Sequence, residues 1–261
     1  AILGYAYSAH QGLMNRGLLN GLFHALGTSR LNAGTVCDSC SDAAWERAVG
    51  GIGGADPESI VDSDLVVGWG SDLHATNVHL WSLIEKARAR GVKFVCIDPR
   101  RTRAARAANL YLPIKIGTDA ALALGVMHIL ARDGLVDREY VAARTLGFDR
   151  VEAEVLPHFP PARVAEITGL TVADIEAFAA MYGAAKKSFL RIGFGMSRFV
   201  HGGHSIDIRV VHRSKRIGGE GVNHIGSEVG GRHQRRKGRE AGFVSRIQIS
   251  LGLGEGGILV G

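Results

Sequence analysis

Cysteine is scarce in this chain: three in 261 residues, two of them in Cys37-Asp38-Ser39-Cys40. That is too few for a disulfide framework, and nothing requires an oxidising compartment. Long apolar runs are missing as well. The longest, such as Ala120–Ala131, extend for about a dozen residues and end in charge, short of the roughly 20 that cross a bilayer, so no transmembrane segment is expected. No basic start followed by an apolar stretch and a small-residue cleavage site opens the sequence as given, so no secretory signal is read there. It begins at Ala1, in text that reads as mid-domain, and a preceding piece is expected. Low hydrophobicity, the mark of disorder, is also absent, because 46% of residues are hydrophobic and the length suffices for a sizeable core.

Aromatic residues are nearly missing where charge is densest. The net charge of +6 is concentrated from Asp207 onward, where ten Lys/Arg face five Asp/Glu and Phe243 is the only aromatic residue. A basic stretch without an aromatic ladder attracts phosphate without specificity, so no specific nucleic-acid partner is expected. This tail, 207–261, holds 13 glycines in 55 residues and shows neither the helical nor the strand period; poor order is expected there.

Up to about residue 195, strands and helices alternate. Apolar spacing predicts a helix over Leu13–Leu26 and a shorter one near Asp42–Val49. β-branched runs predict strands at Leu65–Val67 and Lys93–Ile97, an extended segment at Leu110–Ile116 and a strand at Ser188–Ile192. Between them lie predicted helices at Val78–Arg90, Arg101–Ala108, Ala120–Arg132, Asp137–Leu146 and Ile175–Tyr182. The last is preceded by Thr171-Val172-Ala173-Asp174, a capping-box pattern. The alternation argues for an α/β fold with a doubly wound, mostly parallel, Rossmann-like sheet and flanking helices. Its polar loops, Gly68-Trp69-Gly70-Ser71-Asp72 and Asp98-Pro99-Arg100, follow neighbouring strands, where open α/β sheets bind nucleotides. No G-x-G-x-x-G follows a strand with an acid about 20 residues on, which counts against a stand-alone nicotinamide- or nucleotide-binding protein, the alternative reading.

Several separate blocks occur in one order: Val66-Val67-Gly68-Trp69-Gly70-Ser71-Asp72, Ala89 through Thr102 around Ile97-Asp98-Pro99-Arg100, and Gly117-Thr118-Asp119-Ala120-Ala121-Leu122-Ala123. Gly134-Leu135-Val136-Asp137-Arg138-Glu139-Tyr140-Val141 and Gly193-Phe194-Gly195-Met196-Ser197-Arg198-Phe199 follow. Together they resemble the molybdopterin oxidoreductases of the dimethyl sulfoxide reductase type, which include formate dehydrogenases, nitrate reductases and polysulfide or thiosulfate reductases. The resemblance covers about residues 1–205. Asp72 stands where that family usually has Asn, and Ile116 where it usually has Pro. After Gly203 the chain turns basic where the family continues with an apolar helix, as a shifted reading frame would produce.

The resemblance implies a central fragment of a molybdenum enzyme. Residues 1–53 would belong to the domain around the molybdenum, 54–206 to the Rossmann-like domain that holds one guanine dinucleotide, and 207–261 to the tail. The implied cofactor is bis(molybdopterin guanine dinucleotide) with molybdenum. A 4Fe–4S cluster is expected in the full-length protein, its ligands absent from this sequence. A small-molecule substrate (formate, nitrate or a sulfur compound), two-electron redox chemistry and an electron-transfer subunit or domain are implied too. So is a soluble bacterial or archaeal protein, cytoplasmic or periplasmic, inactive as a fragment.

Site residues follow on the same terms. Cys37 is expected as the thiolate ligand of molybdenum and so as the catalytic residue, a soft donor suited to that metal; the residues alone also allow half a zinc site with Cys40, or small buried side chains. Gly68 and Gly70 would let backbone approach a pyrophosphate or pterin, or serve a structural turn. Asp98 would bond a ribose or purine edge, or cap a helix. Arg100 would pair with a phosphate, or be one more solvated base beside Arg101 and Arg103. Asp119 would accept two N–H bonds from a guanine, or cap its helix. Ser71, Asp72, Pro99, Gly117 and Gly195 complete the expected cofactor contacts. Cys96 reads as core. His10, His74, His79, His201 and His204 read as packing or surface residues.

Overall fold

The computed structural model describes residues 2–5, 18–30, 39–49, 54–199 and 247–248. Cys37, His10, His201, His204 and all but two residues of the basic tail, of which poor order is expected, lie outside these.

Strand β1 (Leu3–Gly4) pairs in parallel with β2 (Ser29–Arg30), and helix α1 (Leu18–Ala25) runs between them. This two-residue ladder is too short to leave a periodic signal in the sequence. Helix α2 (Ser39–Val49) follows, then a 3-10 turn at Pro57–Asp62, and then the strand at the centre of the fold, β3 (Leu65–Trp69). All five residues of β3 are buried, so it carries apolar side chains on both faces, as an inner parallel strand must. It extends two residues further than Leu65–Val67, because Gly68 and Trp69 keep the ladder with both neighbours.

Helices α3 (Leu73–Thr76) and α4 (Val78–Ala89) lead to β4 (Lys93–Ile97), and α5 (Arg103–Ala107) leads to β5 (Leu110–Leu112). β5 stops at Leu112 instead of continuing to Ile116, since Pro113 cannot donate to a ladder. Helix α6 (Asp119–Arg132) is followed by α7 (Arg138–Arg144), the two-residue β6 (Thr145–Leu146) and α8 (Phe148–Arg150). A π turn at Val151–Val155 and a 3-10 turn at Leu156–His158 come next; sequence periodicity gave no sign of this stretch. Helices α9 (Pro161–Thr168) and α10 (Val172–Ala184) then return the chain to β7 (Ser188–Ile192). The N-cap of that pattern is present: Thr171 Oγ1 accepts from the Asp174 amide at 3.1 Å, and its hydroxyl donates to Asp174 Oδ2 at 2.7 Å. From the tail, β8 (Ile247–Gln248) pairs with β6.

The main sheet has the order β5-β4-β3-β7, all parallel. Strand alternation divides its side chains between two cores. Leu65, Val67, Trp69, Val95 and Ile97 pack with Leu122, Val126, Val164, Ile175 and Phe178 of α6, α9 and α10. On the other face Val66, Phe94 and Cys96 pack with Leu80, Trp81, Ile84 and Ala105 of α4 and α5. Burying each such aliphatic or aromatic side chain contributes about 1.5–3 kcal/mol before ordering costs. The expected doubly wound architecture is therefore present. The chain builds outward from β3 through β4 to β5, then crosses back to place β7 on the other side of β3. That reversal puts the topological switch point between β3 and β7; open sheets of this kind bind ligands at the carboxyl ends of their strands.

Candidate functional site

Four loops meet at the carboxyl edge of the sheet. The first follows β3. Gly70 has φ +61°, a left-handed conformation that favours glycine, and its amide donates to the Ile97 carbonyl of β4 at 2.8 Å. A Cβ at Gly68 would meet Leu73 Cδ1 at 2.8 Å, and one at Gly70 would meet Met196 Cγ at 3.1 Å. The loop after β7 presses directly on it. The Gly193 and Gly195 amides donate to the Trp69 and Gly70 carbonyls at 2.8 and 3.3 Å, and a Cβ at Gly193 would lie 2.1 Å from the Gly70 oxygen. The space that a Cβ would take is filled by Leu73 at Gly68, by Met196 at Gly70 and by the Gly70 carbonyl at Gly195, so core packing and loop-on-loop contact call for glycine at these positions. Gly193 is the tightest of these positions, and the sequence reading did not single it out.

Ser71 and Asp72 end the first loop, both partly buried. Asp72 Oδ2 is 3.1 Å from Arg100 Nη2, while its Oδ1 is buried with no hydrogen-bond partner among the described residues. Arg100 belongs to the second loop, after β4. There Asp98 Oδ1 accepts from the Arg100 amide at 2.8 Å, which holds Pro99 and Arg100 outward in a tight turn before the Thr102 cap of α5. Burial raises the Asp98 carboxyl above its ordinary range, and the carboxylates of Asp72 and Asp119 push it the same way; the Arg100 amide and guanidinium oppose them.

The third loop is Gly117-Thr118-Asp119. Gly117 has φ +84°, and Asp119 opens α6. Asp119 is buried, and its Oδ1 accepts from the Trp69 indole Nε1–H at 2.8 Å. No side-chain capping bond comes from Thr118. The link from Trp69 joins the end of β3 to the start of α6, and the sequence reading missed it because the partners are 50 residues apart. The structure therefore brings Asp72, Asp98, Arg100 and Asp119 to one edge: three carboxylates and one guanidinium. Such a set supplies acceptors for ring N–H and hydroxyl groups and one planar donor fork for a phosphate. The acceptor set and the orphaned Asp72 oxygen fit the base and sugar end of a nucleotide.

Elsewhere, Cys40 is exposed and Cys96 buried, both as free thiols, and burial pushes the Cys96 thiol up to about 12. The reading of Cys96 as core holds. His74 packs its ring 5.4 Å from that of Trp81, and His79 is exposed. Among the described residues no group of three or more His, Cys, Asp or Glu side chains is arranged to hold a metal. No helix among them is long and apolar enough to cross a membrane.

A doubly wound parallel sheet with polar loops at its carboxyl edge defines a nucleotide-binding class of fold, which many chemistries share. Comparison with known proteins narrows it. The family model for molybdopterin oxidoreductase matches residues 1–230, and the chain belongs to that family. The probable oxidoreductase YoaE of Bacillus subtilis is 36% identical over 204 residues, 78% of this chain and 30% of that protein. The F420-dependent formate dehydrogenase subunit alpha of Methanocaldococcus jannaschii is 29% identical over 173 residues, 63% of this chain and 26% of that protein. Among solved structures, acetylene hydratase from Pelobacter acetylenicus superposes with a TM-score of 0.65 at 26% identity, covering 76% of this chain and 27% of that one. The chain thus spans less than a third of the length of each of these relatives. Membership implies a molybdenum–pterin cofactor and takes precedence over the rival reading of a stand-alone nicotinamide-binding protein.

Proposed function

We propose that this chain is the part of a molybdenum-dependent oxidoreductase that holds the guanine end of one dinucleotide of bis(molybdopterin guanine dinucleotide). The observation that carries this reading is the gathering of Asp72, Asp98, Arg100 and Asp119 at the carboxyl edge of a parallel sheet, in a chain of this family. Asp119 accepts the ring N–H and exocyclic amine of guanine. Asp98 takes ribose hydroxyls. The orphaned Asp72 Oδ1 takes a further donor, and Arg100 turns its fork toward phosphate. Gly70, Gly117 and Gly195 set the turns that place these groups, with Gly68, Ser71 and Pro99 lining the same loops.

When bound, the molybdenum–pterin group supplies two-electron redox chemistry; the protein positions it and tunes it through its ligand, for which Cys37 is the candidate. Formate, nitrate or a sulfur compound is the substrate class, an electron-transfer subunit or domain the partner, and a 4Fe–4S cluster a feature of the full-length protein. Alone, this segment is inactive.

Titration calorimetry of the chain with GDP and ADP tests the reading. GDP is expected to bind the more tightly, and Asp119→Ala to remove most of the difference. Equal affinity for the two nucleotides overturns it.

A further inference from the structure

We infer that Trp69 is a positioning residue for base selectivity, acting through Asp119; the inference rests on the reading of Asp119 as the guanine-facing carboxylate. A short carboxylate at the start of a helix has two rotatable bonds, and guanine demands a coplanar approach, because its N1–H and 2-amino group present two donors side by side. Something must fix the plane of that carboxylate. Among its described contacts, the indole of Trp69 does so from within the core.

Trp69 is 2% exposed, and its backbone is locked on both sides by ladder pairing with Ile97 of β4 and Ile192 of β7. Its ring meets Phe178 edge-on, with centroids 6.0 Å apart at 77°, and Phe178 is held in the same way by Tyr182. The indole therefore has one orientation. From it, Nε1–H donates to Asp119 Oδ1 at 2.8 Å. An indole nitrogen donates only and never accepts, so the bond restrains the rotation of the carboxylate. Adenine presents an acceptor where guanine presents N1–H, and hypoxanthine lacks the 2-amino group. A carboxylate held in plane rejects the first and binds the second less well.

Trp69→Phe keeps an aromatic ring on Phe178 and deletes the N–H. With the full chain, the probes are GDP, IDP and ADP, measured by calorimetry. The expected result is a fall of about tenfold in GDP affinity, with the GDP-to-IDP ratio moving toward one and IDP affinity changing much less. Should Trp69→Phe fail to fold, benzothienylalanine at position 69 keeps the bicyclic shape and carries sulfur in place of N–H, with the same expectation. A purely structural role would weaken all three nucleotides by one common factor and leave the ratio intact, and that result overturns the inference while sparing the reading of Asp119. A parent chain that does not prefer GDP to ADP overturns both.

Discussion

Arg100 reaches back from the loop after β4 to Asp72 in the loop after β3, Nη2 to Oδ2 at 3.1 Å, and so ties together the ends of two neighbouring strands. The two side chains are not equally buried: Arg100 is 76% exposed and Asp72 only 19%. Water and salt therefore reach the cation, and the pair behaves as a surface ion pair. Arg100→Ala is expected to cost about 0.5 kcal/mol in urea unfolding at low salt and less at about 0.5 M salt. A loss above about 2 kcal/mol, insensitive to salt, would mean instead that Asp72 is left as a buried, uncompensated charge.

Two glycines make opposite predictions. At Gly193 the backbone φ of −98° suits any residue, yet an added Cβ would lie 2.1 Å from the Gly70 carbonyl oxygen, a backbone atom with little room to give. Gly193→Ala is expected to cost about 3 kcal/mol or more, through displacement of the loop after β3. Gly21, inside α1, has no atom within 4 Å of an added Cβ, so Gly21→Ala is expected to add about 0.5–1 kcal/mol by helix propensity alone. Unfolding curves of the two variants settle both signs.

What was legible in the sequence follows from what is local. Lys93–Ile97 and Ser188–Ile192 were bounded correctly because a continuous apolar or β-branched run between polar turns carries its own limits. The Thr171 cap needs only a spacing of three residues, and it was read directly. The glycines after β3 were legible as turns but not in purpose. A glycine facing a ligand and one facing its own protein have the same sequence signature, and here Leu73, Met196 and the loop after β7 fill the space. The Trp69–Asp119 bond depends on a crossing of 50 residues that only the assembled sheet brings together. Asp98 was placed correctly at a strand end, whereas its raised carboxyl reflects burial first and then Asp72 and Asp119 on the neighbouring loops, which only the assembled sheet supplies. Cys37, on which the metal chemistry was hung, lies outside the described residues, so its role rests on resemblance.

The two described thiols should differ in chemistry. Cys96 sits on β4 between Gly68 and Tyr111, 1% exposed, with its thiol pushed up to about 12 chiefly by burial and further by Asp98 and Asp72. The thiolate is the reactive form, so Cys96 is expected to resist iodoacetamide at pH 8 until the chain is unfolded. Cys40 on α2 is exposed and is expected to react in the native chain. Peptide mapping of alkylated protein, with and without urea, checks the assignment; native labelling of Cys96 would mean that β4 opens readily.

The raised carboxyl of Asp98 makes stability depend on pH with a sign opposite to that of a salt-bridged acid. The folded chain holds this proton more tightly than the unfolded chain, whose ordinary value is 3.8. The stabilisation that comes from the neutral form is complete below that value and is lost as pH rises through the raised pKa, where the native state must carry a desolvated anion. Asp98→Asn keeps an oxygen to accept the Arg100 amide and removes the charge. It is therefore expected to raise stability at pH 7, with the gain shrinking as pH falls toward 4. Asp72→Asn gives an independent check: with one neighbouring anion gone, the Asp98 carboxyl should titrate lower, yet stay above 3.8 because burial is the largest cause. Carboxyl-carbon NMR titration reads the second effect and urea unfolding across pH the first. An Asp98 that titrates at or below 3.8 in the parent chain would remove the basis for both.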